Sequence, residues 1–130
     1  MAIAHARAHI GTQPHKTDIE TRQFHLLADE SLDDGGGDLG PTPIELLSAS
    51  LGACTSITLR LYADRKGWPL AGVDVNVDID RHVTPPMVRC AITLHGDLTP
   101  EQRARLLQIA DACPVHKMLE NPIHVQTVLN

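Results

Sequence analysis

The amino-acid sequence predicts an α+β domain. A 26-residue apolar stretch, 42–67, carries both a helix start signal and a helix stop signal. Residues 73–80 alternate apolar and polar side chains without a fault, the pattern of a half-buried strand. A second capped helical segment opens at Thr99. Strands before, between and after two helices make segregated elements rather than a repeating βαβ order.

Taken in order, residues 2–10 alternate small apolar residues with His5, Arg7 and His9 and are predicted as a strand with one face buried. After a turn at Gly11 to Pro14, the segment from Thr17 to Ala28 reads as one or two further strands. DESLDDGGGDLG, residues 29–40, is loop, because three glycines among aspartates offer neither helix propensity nor apolar surface. Thr42, Pro43 and Glu45 then form a capping box with proline at the first helical position. Arg65 and Lys66 suit the negative end of the helix dipole, and Gly67 can close the helix in the left-handed conformation before Pro69. Along this helix Ile44, Leu47, Leu51, Cys54, Thr58 and Leu61 share one face, while other apolar residues cover much of the rest. Such a helix needs cover on nearly all sides, from a sheet, from other helices or from a second subunit.

Val73, Val75, Val77 and Ile79 are predicted to face inward, and a loop at 84–86 leads to a returning strand with Val88, Cys90, Ile92 and Leu94 inward. Together they make a β-hairpin. Thr99 and Gln102 repeat the capping formula, and Leu106, Leu107, Ile109 and Ala110 supply that helix with an apolar stripe. The helix should break at Cys113-Pro114, with a short helical turn over Val115 to Glu120 and a closing strand over Ile123 to Leu129. No linker divides the chain, so residues 1–130 are expected to be one domain.

Composition excludes several function classes. A net charge of −5 is unsuited to nucleic acid or acidic membranes, and an aromatic fraction of 2% leaves little for base stacking. No window approaches the 18 or so apolar residues of a membrane span, and no leader pattern is visible at the N-terminus, so a cytoplasmic protein with no membrane partner is expected. Three cysteines, Cys54, Cys90 and Cys113, do not make a disulfide framework. Cys90 keeps step with Val88, Ile92 and Leu94 and reads as core. Cys54 and Cys113 remain open between structure and chemistry. The eight histidines form no zinc motif, with Cys113 and His116 the nearest approach, and the glycine loop lacks the lysine of a phosphate cradle. Neither a metal nor another cofactor is expected.

The stretch GGGDLGPTPIELLSASLGACTSITLRLYADRKGWPL, followed by IADACPVHKML, resembles the OsmC/Ohr family. The likeness spans about residues 22–129 and rests on the glycine loop, the Pro-x-Glu-Leu-Leu helix start, a cysteine nine residues after that glutamate and a second cysteine in a Cys-Pro-Val-His context. It implies an OsmC-like intertwined homodimer with antiparallel sheets wrapped around two long central helices and active sites at the subunit interface. It also implies a thiol peroxidase for organic hydroperoxides: Cys54 becomes a sulfenic acid, Cys113 resolves it as a disulfide, and a dithiol of the lipoyl or thioredoxin type reduces that disulfide. Because Pro114 ends the preceding helix at Cys113, a modest movement there should join the two sulfurs, with Cys90 left free.

This sequence departs from the peroxidase members at two places. The glutamate ten residues before the first cysteine is replaced by Ile44, and Glu45, one position later, matches a related subgroup while also serving as the capping-box acid. No Gly-Arg pair occurs near the N-terminus, so Arg7 and Arg22 are candidates for the activating cation and neither is assigned. The alternative implied by these departures is a non-catalytic OsmC-like protein that binds a small apolar ligand in the dimer cavity.

Overall fold

A computed structural model describes residues 3–130, so Ala2, the first residue of the first predicted strand, lies outside the described residues. The fold is α+β, with two antiparallel sheets and three α-helices among the described residues. The chain gathers into two compact units, Met1–Leu47 and Ser48–Asn130.

In the first unit, β1 (Arg7–Ile10), β2 (Thr17–Thr21) and β3 (Phe24–Ala28) form a three-stranded sheet in that order. Thr21 pairs with Phe24 across a two-residue turn in which Arg22 has a positive φ of 52°. β1 is shorter than expected and exposed along its whole length, rather than buried on one face. Ile10, Phe24 and Leu26 also stand in solvent. The glycine-rich loop that follows is organised around Asp29, which is 2% exposed. Its carboxylate accepts backbone N–H groups from Glu30 at 2.7 Å and Leu39 at 3.2 Å. Gly36 packs directly against the Glu30 backbone, a close approach that no side chain would allow.

The long helix, α1 (Pro43–Lys66), has the ends that its sequence dictates. The Glu45 N–H donates to Thr42 Oγ1 at 3.1 Å, and Glu45 Oε1 accepts the Thr42 N–H at 2.9 Å, which completes the capping box. At the other end Gly67 has φ +70°, and the N–H groups of Gly67 and Trp68 bond the carbonyls of Asp64 and Ala63, a Schellman closure. The buried stripe is Leu51, Thr55, Leu59 and Ala63, a rotation from the face expected from sequence. Leu61 and Ile57 are exposed at 57% and 60%. A helix apolar nearly all round has almost no preferred direction, so the choice of face is made by what packs on it. By length and composition alone α1 could also cross a bilayer, with a mean hydropathy of 1.2, which corrects the expectation that no window reaches that size. Its serines, threonines and glycine interrupt the apolar run without lowering the average enough to exclude it. A core helix passes the same test.

In the second unit, β4 (Gly72–Asp80) and β5 (Met87–His95) form the expected hairpin. Its register places Val73 opposite Leu94, Val75 opposite Ile92, Val77 opposite Cys90 and Ile79 opposite Val88, so the two apolar faces coincide. β4 passes close to α1 at Gly52, where an added Cβ would meet Val77 Cγ2 at 3.5 Å. α2 (Pro100–Ala110) starts with a complete Thr99–Gln102 capping box. Leu106 and Ala110 enter the core with Leu59, Ala63, Leu70 and Leu98, whereas Leu107 stays exposed. α3 (Pro114–Glu120) follows with Cys113 as its N-cap. The predicted closing strand does not form: residues 121–130 are irregular and exposed. A strand exists only where a neighbouring edge accepts its hydrogen bonds, and none is offered there by the described residues.

Candidate functional site

Cys54 lies at mid-length in α1, held on both sides by helix, and is partly buried. Cys113 is fully buried at the break between α2 and α3. Although 59 residues separate them in sequence, their thiols hydrogen-bond to each other. No disulfide joins them, and all three cysteines are free thiols.

The environments of the two sulfurs differ. Burial pushes the Cys54 thiol up from the ordinary value of 9.0, and its bond to Cys113 raises it further. The Val115 N–H and the Thr58 hydroxyl, one helical turn along α1, oppose that rise without cancelling it. Burial likewise pushes Cys113 up, yet the donors around it prevail and hold it below the ordinary thiol value. These are the Cys54 thiol, the His116 N–H, the hydroxyl of Thr55 and the Val115 N–H. The amides face the sulfur without closing a full capping bond.

Among the described residues, none of the leading influences on either sulfur is an arginine or lysine. Arg22 lies over the Phe24 ring at 5.0 Å in the first unit. Glu45 is engaged in the helix cap.

Cys90 sits on the inner face of β5, its thiol raised by burial and then by Cys113. It lines two cavities of about 230 Å³ each, both shared with Val88 and His116. His116 Nε2 stands 3.0 Å from Glu120 Oε1 and 3.8 Å from Asp111 Oδ1. No three acidic, histidine or cysteine side chains among the described residues converge to hold a metal.

Sequence reasoning missed Thr55 and His116 as members of this site. The Cys-x-x-His spacing placed His116 one turn from Cys113, but the turn was readable only as a weak metal signal. Thr55 shares a period of four with Leu51, Leu59 and Ala63, a pattern hidden by the apolar residues on every other side of α1.

The family model described as OsmC-like protein matches residues 35–128, more than half of the chain. The chain belongs to the OsmC-like family. Solved structures agree in fold. An OsmC-like protein from Mycoplasma pneumoniae superposes with a TM-score of 0.78 at 19% identity, over 91% of this chain and 87% of that one. An organic hydroperoxide resistance protein from Elizabethkingia anophelis gives 0.71 at 19% identity, over 91% and 88%. Another, named organic hydroperoxide resistance protein OsmC, from Legionella pneumophila, gives 0.65 at 20%, over 92% and 90%. No curated protein matches the sequence significantly. The matched span contains both Cys54 and Cys113, so the hydrogen-bonded thiols belong to the OsmC-like part of the chain.

Proposed function

We propose that this OsmC-like protein is a cytoplasmic thiol peroxidase that reduces organic hydroperoxides in defence against oxidative stress. The observation that carries the reading is the hydrogen bond between the Cys54 and Cys113 thiols inside an OsmC-like fold. Hydroperoxide-resistance proteins among its structural neighbours support the same direction. A ligand-binding role without catalysis is not favoured, because it leaves this thiol pair without a use.

In the first step the Cys54 sulfur, deprotonated, attacks the outer oxygen of the hydroperoxide. The O–O bond breaks, an S–O bond forms, and the alkoxide leaves as the alcohol after taking a proton. Cys113 then attacks the sulfenic sulfur, releasing water and closing a Cys54–Cys113 disulfide. A dithiol of the lipoyl or thioredoxin type returns both thiols by two exchange steps and becomes a disulfide itself. Glu45 serves the cap of α1, where its carboxylate accepts the Thr42 N–H.

The protein acts as an intertwined homodimer in this reading. Support comes from the exposed Ile57 and Leu61 on a helix otherwise apolar enough for a core, and from the uncovered Ile10, Phe24 and Leu26 of the first sheet. Coupled consumption of an alkyl hydroperoxide with a dithiol reductant tests the activity. The wild type should turn over and Cys54→Ser should not; equal rates in the two would sink the catalytic claim.

A further inference from the structure

We infer that the corner of the second unit around Tyr62, with Lys66 of α1 and Arg105 of α2, is the docking surface for the reductant, an acidic protein that carries its dithiol on an extended arm. The inference rests on the peroxidase reading above for the nature of the partner, and adds the surface that receives it.

Tyr62 packs against the core near the C-terminal end of α1, with the Trp68 ring edge-on to it at 5.5 Å. Arg105 Nε–H donates to the Tyr62 hydroxyl at 3.0 Å, and another guanidinium N–H of Arg105 donates to Gln108 Oε1 at 3.1 Å. One turn along α1, Lys66 Nζ stands 5.7 Å from the centre of the same ring. The charged groups acting on the Tyr62 hydroxyl are all cations: Arg105, Lys66 and Arg65. All three are exposed, in a chain whose net charge is −5. Among the described residues no carboxylate ion-pairs with any of them. Asp64 is held by Arg60 at 2.6 Å, and Glu101, one turn before Arg105 on α2, forms no ion pair with it.

The dipole of α1 accounts for Arg65 and Lys66 at its last turn, but Arg105 lies in the middle of α2, where that effect has died away. What α2 adds is a guanidinium fixed on a tyrosine beside a tryptophan, and Arg, Tyr and Trp are the residue types that dominate binding energy at protein contacts. A cluster of unpaired cations attracts an acidic surface and repels a basic one. The corner is also placed to serve the thiol pair. Tyr62 follows Cys54 by eight residues of α1, and Arg105 precedes Cys113 by the same number. Along α1 that is about 12 Å at 1.5 Å per residue. Cys113 is fully buried and Cys54 partly so, which keeps a flat protein surface from touching either sulfur. A partner held at Tyr62 therefore needs its dithiol on an arm or projecting loop.

Steady-state hydroperoxide turnover with two reductants tests this: a reduced lipoyl carrier domain of net negative charge, and free dihydrolipoamide. For the carrier domain, KM should rise about 10-fold or more in the double variant Lys66→Glu, Arg105→Glu with kcat little changed, the range expected when electrostatic steering is reversed. With free dihydrolipoamide the variant and the wild type should behave alike. The wild-type KM for the carrier domain should also climb with added salt, which screens charges at a solvated contact. Arg81→Glu, between β4 and β5, moves the net charge in the same direction and should leave that KM as it was. Lys66→Glu alone keeps the Arg105–Tyr62 bond, and it serves if circular dichroism shows the double variant unfolded. An unchanged carrier KM in the folded variant, an equal loss with both reductants or in Arg81→Glu, or a wild type that accepts the free dithiol but not the carrier overturns the proposal. Failure of the peroxidase reading itself would show differently, as hydroperoxide consumption with free dihydrolipoamide unaffected by Cys54→Ser.

Discussion

At the scale of single residues the site is a contest between burial and hydrogen bonding, and the outcome differs for two thiols in contact. Burial and the contact with Cys113 raise the Cys54 thiol, whereas the donors around Cys113 outweigh its burial and lower it. The sign follows directly. The attacking thiol, Cys54, is raised and ionises at higher pH than an ordinary thiol, so hydroperoxide reduction should still be rising with pH at 9.0, the ordinary thiol value. A pH–rate profile that levels off well below that value would contradict it. Glu45 allows a separate test. If it acts only as the capping acid, Glu45→Gln keeps the acceptor for the Thr42 N–H and should leave both stability and turnover within about 0.5 kcal/mol of wild type. A large fall in turnover with unchanged melting temperature would assign Glu45 to the chemistry. The two cysteines were legible in the sequence through their motifs. Thr55 and His116 were not, because what matters is where the folded chain aims them.

At the scale of elements, α1 was readable almost to the residue because its boundaries are local chemistry: the Thr42–Glu45 box and the Gly67 closure involve groups a few residues apart. Which face it buries was not readable. Leu59 is fully buried in the cluster with Leu106 and Leu70, so Leu59→Ala should cost about 2–5 kcal/mol in chemical denaturation, whereas exposed Leu61→Ala should cost far less in an isolated chain. The β4–β5 hairpin was legible from strict alternation, and its register follows from the turn and the shared apolar face. The last strand was misread because pairing is a non-local event that alternation alone cannot supply. The glycine loop was legible as loop, but not its anchor. The backbone N–H of Glu30, and then those of Leu39 and Gly37, hold the Asp29 carboxyl below its usual range despite its burial. Its contribution to stability is therefore present above the unfolded carboxylate value and lost as pH falls through the lowered folded value. Asp29→Asn should destabilise the protein at neutral pH and flatten the acid limb of its stability curve. An unchanged acid limb would remove Asp29 from that role.

At the scale of the whole molecule, the exposed apolar side chains say most. Ile57 and Leu61 on α1, with Ile10, Phe24 and Leu26 on the first sheet, are more apolar surface than a monomer usually leaves in water. Sedimentation equilibrium should find a dimer, and Ile57→Glu should shift it toward monomer by burying an unpaired charge at the contact. A wild-type monomer at micromolar concentration would refute the assembly. The family resemblance was readable from the paired cysteine motifs, and the match over residues 35–128 shows it. Periodicity made the need for cover on α1 readable, but apolar surface does not name the element that provides it.

The central claim is that Cys54 and Cys113 work as one redox pair, and peptide mass spectrometry after one equivalent of an alkyl hydroperoxide tests it most directly. The account predicts a Cys54–Cys113 crosslinked peptide with Cys90 still a free thiol. A stable sulfinic acid on Cys54 with Cys113 untouched, or a disulfide through Cys90, would contradict it.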